Sequence, residues 1–173
     1  KYIQPAHYLI FKEGKITERE YWDLDPLKLV NLCRKMHRDE VDSMLCDSVR
    51  SHLIGDVPIG IFLSGGIDSS LILRYFSRYQ ENIPAFSIGF SEPSYDETRF
   101  AQTVAKRYGA RHFTDIIDSK RCFKEFPEII SHLDEPFADS SMIGVHFLSK
   151  LASNYVKVVL TGEGGDEVFG GYD

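Results

Sequence analysis

The 173-residue sequence has few cysteines and no long apolar run, and these absences argue against a disulfide-rich protein and against a membrane-spanning one. Cys33, Cys46 and Cys122 are widely spaced and form no Cys-x-x-Cys pair, so they indicate separate thiols in a reducing compartment and predict a cytoplasmic protein. No apolar stretch approaches ~18 residues, so no transmembrane helix is expected. A formal net charge of −6 argues against nucleic acid or an anionic membrane surface as the main partner.

Other features are missing as well. The sequence starts at Lys1 without an initiator Met or a signal peptide, and it stops inside a glycine turn at residues 170–173, so we expect an excerpt of a longer protein. Metal-ligand spacing is absent from the histidines, which are therefore expected in core or surface roles: His52, His112, His132 and His146. What is present, 43% hydrophobic residues, suits a globular domain with a real core.

Hydrophobic patterning predicts two parts. Residues 1–24 are typical of a short β-rich piece followed by a linker, and residues 27–53 of one or two amphipathic helices. Strands are then predicted at 58–63, 85–90, 112–117 and 156–161, and helices at 68–79, 96–108, 120–133 and 141–153. Apolar strands that alternate with helices of about ten to fifteen residues predict an α/β fold, a parallel sheet with helices on both faces. Aromatic residues with core spacing are Phe86, Phe90, Phe123 and Phe126.

The most informative motif lies in residues 58–70. An apolar strand pattern stops at Ser64-Gly65-Gly66-Ile67-Asp68-Ser69-Ser70, and helical periodicity follows. A strand, a glycine turn and a helix N-terminus present free backbone N–H groups to an anion. Asp68 would repel a phosphate unless a cation lies between them, so the motif favours nucleotide chemistry with a bound metal. An ordinary capped turn is the alternative.

This motif has neither the Walker A spacing nor the Gly-x-Gly-x-x-Gly spacing of dinucleotide-binding folds. It resembles the pyrophosphate loop of the ATP pyrophosphatases, which cleave ATP between its α- and β-phosphates. Ligands of parallel sheets bind beyond the carboxyl ends of the strands. We therefore expect three such ends to converge: Ser64–Ser70, Gly89–Ser91 and Thr161–Gly165.

A second glycine-rich segment, Thr161–Tyr172, follows the last predicted strand directly. It holds five glycines and three carboxylates, Glu163, Asp166 and Glu167. Glycines let a backbone lie close to a ligand, and carboxylate oxygens bind Mg²⁺ alongside phosphate oxygens. A solvated acidic turn is the alternative. Beside the first loop, Asp68 and Asp166 are the natural metal pair, one from each loop.

Four motifs together resemble the synthetase domain of the glutamine-dependent asparagine synthetases. They are S-G-G-I-D-S-S, F-S-I-G-F, D-E-P-F-A-D-S-S and T-G-E-G-G-D-E-V-F-G-G-Y, in the family's order over residues 58–172. The resemblance implies a Rossmann-like fold of the adenine nucleotide alpha hydrolase type. It also implies that residues 1–24 end a preceding amidotransferase-like domain, and that residues 25–173 are the N-terminal part of the synthetase domain.

The resemblance further implies a reaction and its components. In this family the β-carboxylate of aspartate attacks the α-phosphate of ATP, pyrophosphate leaves, and ammonia from glutamine converts β-aspartyl-AMP to asparagine. ATP and Mg²⁺ are the implied cofactors, and small molecules are the implied partners. A homodimer is the implied assembly.

Site roles follow from the resemblance residue by residue. The pyrophosphate moiety is assigned to the residues of the first loop: Ser64, Gly65, Gly66, Asp68 and Ser69. Leu63 and Ile88 are expected to contact the adenosine through backbone and apolar atoms, with Gly162 nearby.

Four carboxylates receive the remaining roles. Asp68 and Asp166 are expected to coordinate Mg²⁺. Glu163 falls near the reacting centre, where it would orient substrate or ammonia, and Asp166 is counted with it as catalytic. Asp139, in the third motif, is expected to face the same cleft.

Two departures from the family pattern are visible. The chain has no N-terminal cysteine nucleophile, and it ends before the helical part that supplies a lysine near the phosphates. We therefore expect this length of chain to be inactive alone and the longer protein to be the ligase. Two alternatives stay open. One is a relative that adenylates another carboxylate, such as a β-lactam-forming or peptide-modifying synthetase, and the other is a non-catalytic ATP-binding domain.

Overall fold

The computed structural model describes residues 2–23, 38–92, 96–135 and 138–171. The chain divides into two compact units, residues 1–38 and 39–173. Several predicted features lie outside the described residues: Leu24 to Pro26 of the linker, the first part of the 27–53 helical region with Cys33, and Pro136, Phe137 and Tyr172 of the motifs.

The first unit contains an antiparallel hairpin of β1 (His7–Lys12) and β2 (Lys15–Glu20). The strands pair from His7↔Glu20 to Lys12↔Lys15. Glu13 and Gly14 between them have positive φ angles of 52° and 75°, as in the two-residue turns that match the twist of the strands. The β-rich character predicted for residues 1–24 is therefore confirmed, and their origin in a preceding domain stays a prediction.

From Arg38 onward, helices and strands alternate, except that two helices follow each other before the last strand. They are α1 (Arg38–His52), β3 (Ile59–Phe62), α2 (Ile67–Phe76), β4 (Pro84–Phe90), α3 (Thr98–Arg107), β5 (Arg111–Ile117), α4 (Ser119–Ser131), α5 (Ser141–Ala152), β6 (Val158–Leu160) and α6 (Gly165–Phe169). The four strands form one parallel sheet in the order β5-β4-β3-β6. The predicted α/β fold is confirmed, and α6 is an addition within a segment predicted as a loop. No helix in the described part of the chain has the length and apolar character needed to cross a membrane.

The sheet buries apolar side chains on both of its faces. On one face, Ile61 and Ala85 pack with residues of α1, α2 and α3. On the other face, Phe86 and Ala152 form a second core, against which Phe62 packs. Successive residues of a strand point to opposite faces, so Ile61 and Phe62 enter different cores. Helices on both faces are thus confirmed.

Helix α4 differs from the prediction at two aromatic residues. Core spacing predicts Phe123 and Phe126 inside, but they are 80% and 40% exposed, whereas Ile129 of the same helix is buried. The reason is that α4 packs on α5, and the side of α4 that carries Phe123 is left exposed among the described residues. Helical spacing predicts an apolar face without showing what covers it.

Charged side chains join α4 to α5 in an arrangement that spacing along the chain does not predict. The Glu125 carboxylate lies 2.7 Å from Lys150 Nζ, 3.3 Å from Arg121 Nε and 3.5 Å from His146 Nε2. Lys150, more than Arg121, holds the pKa of Glu125 below its usual value. Glu128 completes a group with metal-ligand geometry, but Lys150 Nζ lies 3.8 Å from that carboxylate too. The ammonium supplies the positive charge, so the group is an ion-pair network.

Strand β3 lies at the point where the sheet changes its direction of growth. The chain adds β4 and β5 on one side of β3 and then returns to add β6 on the other side. In open α/β sheets, ligands bind outside the carboxyl ends of the strands at such a point. The segments that follow β3 and β6 are therefore the expected place for a site.

Candidate active site

A cavity of about 550 Å³ opens at the carboxyl ends of β3, β4 and β6. This volume lies within the usual range for small-molecule sites, roughly 300–1,000 Å³. The lining residues come from five segments: Phe62–Ser64, Gly66, Asp68 and Ser69; Ser87, Ile88 and Phe90; Glu97 and Thr98; Val145 and Leu148; and Thr161–Gly164, Asp166 and Glu167.

Most of the predicted site residues line this cavity: Leu63, Ser64, Gly66, Asp68, Ser69, Ile88, Gly162, Glu163 and Asp166. The structure therefore brings together the two glycine loops, which lie almost 100 residues apart in the chain. The remaining segment that is expected to converge here, Gly89–Ser91, contributes Phe90 to the lining. The individual roles of these residues stay predictions.

Two predicted residues are not among those that line the cavity. Gly65 has a φ of 89° and turns toward α3, where a Cβ would lie 2.5 Å from the backbone nitrogen of Ala101. Asp139 is expected to face the cleft, but it is not among the residues that line this cavity. Its carboxylate accepts a 2.8 Å hydrogen bond from the backbone N–H of Ser141, and this contact lowers the pKa of Asp139. Gly65 makes the turn possible, and Asp139 binds the start of α5.

The first loop is held closed by two of its own serines. The backbone N–H of Ser64 donates to Ser69 Oγ at 3.3 Å, the two hydroxyl oxygens are 3.0 Å apart, and the N–H of Gly66 donates to Ser64 Oγ at 3.2 Å. Helix α2 begins directly after Gly66, without a side-chain cap. Its first N–H groups have no partner within the helix, and they lie at the positive end of its dipole. This end of α2 can bind an anion.

The second loop closes on the first because it carries glycine at the points of contact. A Cβ on Gly162 would lie 2.9 Å from the backbone nitrogen of Ser69, and a Cβ on Gly165 would lie 2.5 Å from Asp68 Oδ1. The Asp68 carboxylate therefore lies against the first residue of α6, one residue before Asp166. The contact puts an acidic residue from each loop at one edge of the cavity.

The charge of the cavity is strongly one-sided. Five carboxylate residues line it, and no lysine, arginine or histidine does so within the described residues: the acidic residues are Asp68, Glu97, Glu163, Asp166 and Glu167. A lining that carries carboxylates and no basic side chain among its described residues favours a bound cation. Hard oxygen donors on two adjoining loops fit Mg²⁺, which is usually bound by one or two carboxylates together with phosphate oxygens.

Residues 40–173 match the family model described as asparagine synthase. The chain belongs to the asparagine synthase family. It is 36% identical over 174 residues to asparagine synthetase [glutamine-hydrolyzing] 1 from Bacillus subtilis, an alignment that covers 100% of this chain and 27% of the relative. A putative asparagine synthetase [glutamine-hydrolyzing] from Mycobacterium bovis is 41% identical over 134 residues, or 78% of this chain and 21% of the relative. The chain thus spans about a quarter of the length of these relatives.

The fold of this asparagine synthase family chain is similar to that of a solved NH3-dependent NAD synthetase from Campylobacter jejuni in complex with the nitrate ion. The TM-score is 0.54 at 18% sequence identity, and the match covers 80% of this chain and 62% of that one. At this identity the likeness concerns the fold alone. It agrees with the parallel sheet flanked by helices.

Several residues that line the cavity of this asparagine synthase family chain carry no sequence signal that singles them out. Val145 and Leu148 lie on α5, outside every motif, and line the cavity together with Ile88. Gly144 in the same helix leaves room for Ile88, whose Cδ1 would lie 3.2 Å from a Cβ there. Glu97, at the start of α3, gave no motif signal, whereas Ser87 lay inside the F-S-I-G-F motif and could have been singled out.

Proposed function

We propose that the protein containing this chain is an ATP-dependent carbon–nitrogen ligase of the asparagine synthetase type. It adenylates the β-carboxylate of aspartate, releases pyrophosphate and transfers ammonia derived from glutamine. The observation that carries the proposal is the meeting of two glycine loops at one cavity, with Asp68 against the first residue of α6. Membership of the asparagine synthase family supports the choice of aspartate and ammonia.

The first loop and the start of α2 bind the phosphates in this proposal. The pyrophosphate contacts are assigned to Ser64, Gly65, Gly66, Asp68 and Ser69. An oxygen of the substrate carboxylate bonds to the α-phosphorus, and the bond from that phosphorus to the bridging oxygen breaks. The electron pair leaves with the pyrophosphate, whose growing charge is stabilised by N–H groups that are already oriented by the loop.

Asp68 and Asp166 hold Mg²⁺ in this proposal, one from each loop. When bound, the ion neutralises charge on the phosphates. The support is the donor chemistry of the cavity, which offers carboxylates and no basic side chain among its described lining residues. Without a cation, a triphosphate would enter a field of like charge.

The adenosine binds in the same cavity, against Leu63 and Ile88 and near Gly162. Phe62, Val145 and Leu148 also line the cavity and supply apolar surface for the base. Glu163 stands near the reacting centre and orients the aspartate or the incoming ammonia. The ammonia nitrogen then attacks the acyl carbon, and AMP leaves with the electron pair of the broken C–O bond.

Pyrophosphate release, measured on the full-length protein with ATP, Mg²⁺ and a panel of carboxylates, tests this function. We expect release that depends on aspartate, with one asparagine formed per pyrophosphate. Glu163→Gln should lower kcat by about 10²-fold, as loss of a transition-state contact does, and Glu81→Gln, at an exposed glutamate outside the cavity, should not. Release driven by another carboxylate would replace aspartate as the substrate. ATP binding without release from any carboxylate would refute the ligase.

A further inference from the structure

Ser87 is a buried polar residue in the cavity wall to which the proposed chemistry gives no role. It lies in β4 and is only 3% exposed. Strands β3 and β4 stay hydrogen-bonded through the N–H of Leu63, which donates to the Phe86 carbonyl at 2.8 Å. The carbonyl of Leu63 accepts the hydroxyl of Ser87. A side chain therefore binds the backbone at the place where the first loop leaves the sheet.

His112, on the neighbouring strand β5, is the second partner of that hydroxyl. Its Nε2 lies 2.8 Å from Ser87 Oγ, and Thr114 Oγ1 is a more distant neighbour at 3.5 Å. A serine hydroxyl has one proton, and here that proton is donated to Leu63. The imidazole must therefore donate through Nε2–H. Burial lowers the pKa of His112, which favours the neutral ring and leaves Nδ1 without a proton.

The Leu63 carbonyl belongs to the peptide group that opens the loop. Because a peptide group is planar, fixing the carbonyl of Leu63 also fixes the direction of the Ser64 N–H at its other end. That N–H donates to Ser69 Oγ at 3.3 Å. The first peptide of the loop is thus held at both ends, by Ser87 at its oxygen and by Ser69 at its nitrogen.

We propose that Ser87 and His112 are positioning residues for the bound nucleotide. The imidazole orients the hydroxyl, the hydroxyl fixes the peptide between Leu63 and Ser64, and this peptide sets the direction in which the loop presents its N–H groups. The inference rests on the proposed ATP site. Both residues act through the backbone of the loop and not on the reacting atoms.

The test measures the Kd of Mg²⁺·ATP for the full-length protein by calorimetry, with the Tm recorded for each variant. Ser87→Ala and His112→Leu should raise Kd about tenfold, which corresponds to ~1.4 kcal/mol. His112→Gln should keep most of the affinity, because its amide N–H can take the place of Nε2–H. Ser77→Ala is the matched control, since it removes a hydroxyl that donates to the Arg74 carbonyl at 2.9 Å outside the cavity.

A nitrogen NMR spectrum of the wild-type imidazole is the second measurement, and it needs no variant to fold. A neutral ring with the proton on Nε2 is expected, and a proton on Nδ1 instead would overturn the inference. Wild-type affinity in both Ser87→Ala and His112→Leu would also overturn it, as would equal losses in His112→Gln and His112→Leu. If wild type and Ser77→Ala bind no ATP, the proposed function itself fails and the inference falls with it.

Discussion

Gly162→Ala is the substitution that most directly separates the two glycine loops. A Cβ at this position would lie 2.9 Å from the backbone nitrogen of Ser69 and 3.0 Å from the Cβ of Asp68. Both neighbours belong to the first turn of α2, so no flexible side chain can swing aside to make room. The second loop has to move away from the first by a few tenths of an ångström.

The expected size of the effect on ATP binding follows from these short distances. Forcing one extra methyl group into a packed contact costs about 1–3 kcal/mol. The Ser69 N–H is one of the donors at the start of α2, and the added methyl would lie against it. We expect much of the cost to appear in ligand binding, as a rise of about tenfold in the Kd of Mg²⁺·ATP.

Calorimetry on Gly162→Ala and Gly55→Ala checks this reasoning, with both Tm values measured. Gly55 has no heavy atom within 4 Å of its would-be Cβ and no positive φ, so alanine there should leave ATP affinity unchanged and slightly raise stability. Gly162→Ala binding ATP as tightly as wild type would refute the account of how the two loops meet.

Two further predictions concern the stability of the fold. A hydrogen bond from Tyr75 OH, at 2.9 Å, and then the nearby guanidinium of Arg74 lower the pKa of Asp42 from its ordinary 3.8. The ionised Asp42 therefore stabilises the fold fully above pH 3.8, and this stabilisation is lost as the pH falls through the lower pKa of the folded state. The urea midpoints of wild type and Asp42→Asn should differ at pH 7 and converge in acid. A difference that stays constant with pH would contradict this prediction. Phe86→Ala should lower the free energy of unfolding by about 3–5 kcal/mol, because this side chain is fully buried. Phe123→Ala should change it by no more than ~0.5 kcal/mol, because this side chain is largely exposed. Similar losses for the two variants in urea titrations would contradict the packing described for α4.

The features that could be predicted from the sequence are those set by neighbours along the chain. The apolar run before Ser64, the paired glycines and the helical spacing after Asp68 specify a strand, a turn and a helix start. The order of such units predicts a parallel sheet, and a parallel sheet gathers the strand ends at one edge. That is why the meeting of the loops at residues 64–70 and 161–172 could be expected from the sequence.

Features that depend on how elements pack could not be predicted in this way. Ser87 and His112 lie 25 residues apart and meet only because β4 and β5 pair in one register. Leu148 lines the cavity because α5 packs on β4. Phe123 is expected in the core but is exposed, because the helical spacing of apolar residues along α4 is the same whether or not another element covers that face.

The most direct test of the central claim is the dependence of ATP affinity on Mg²⁺ in three forms of the full-length protein: wild type, Asp68→Asn and Asp166→Asn. If the two loops share one metal between them, Mg²⁺ should tighten ATP binding in the wild type and should have little effect in either variant. Unchanged dependence on Mg²⁺ in both variants would contradict the site.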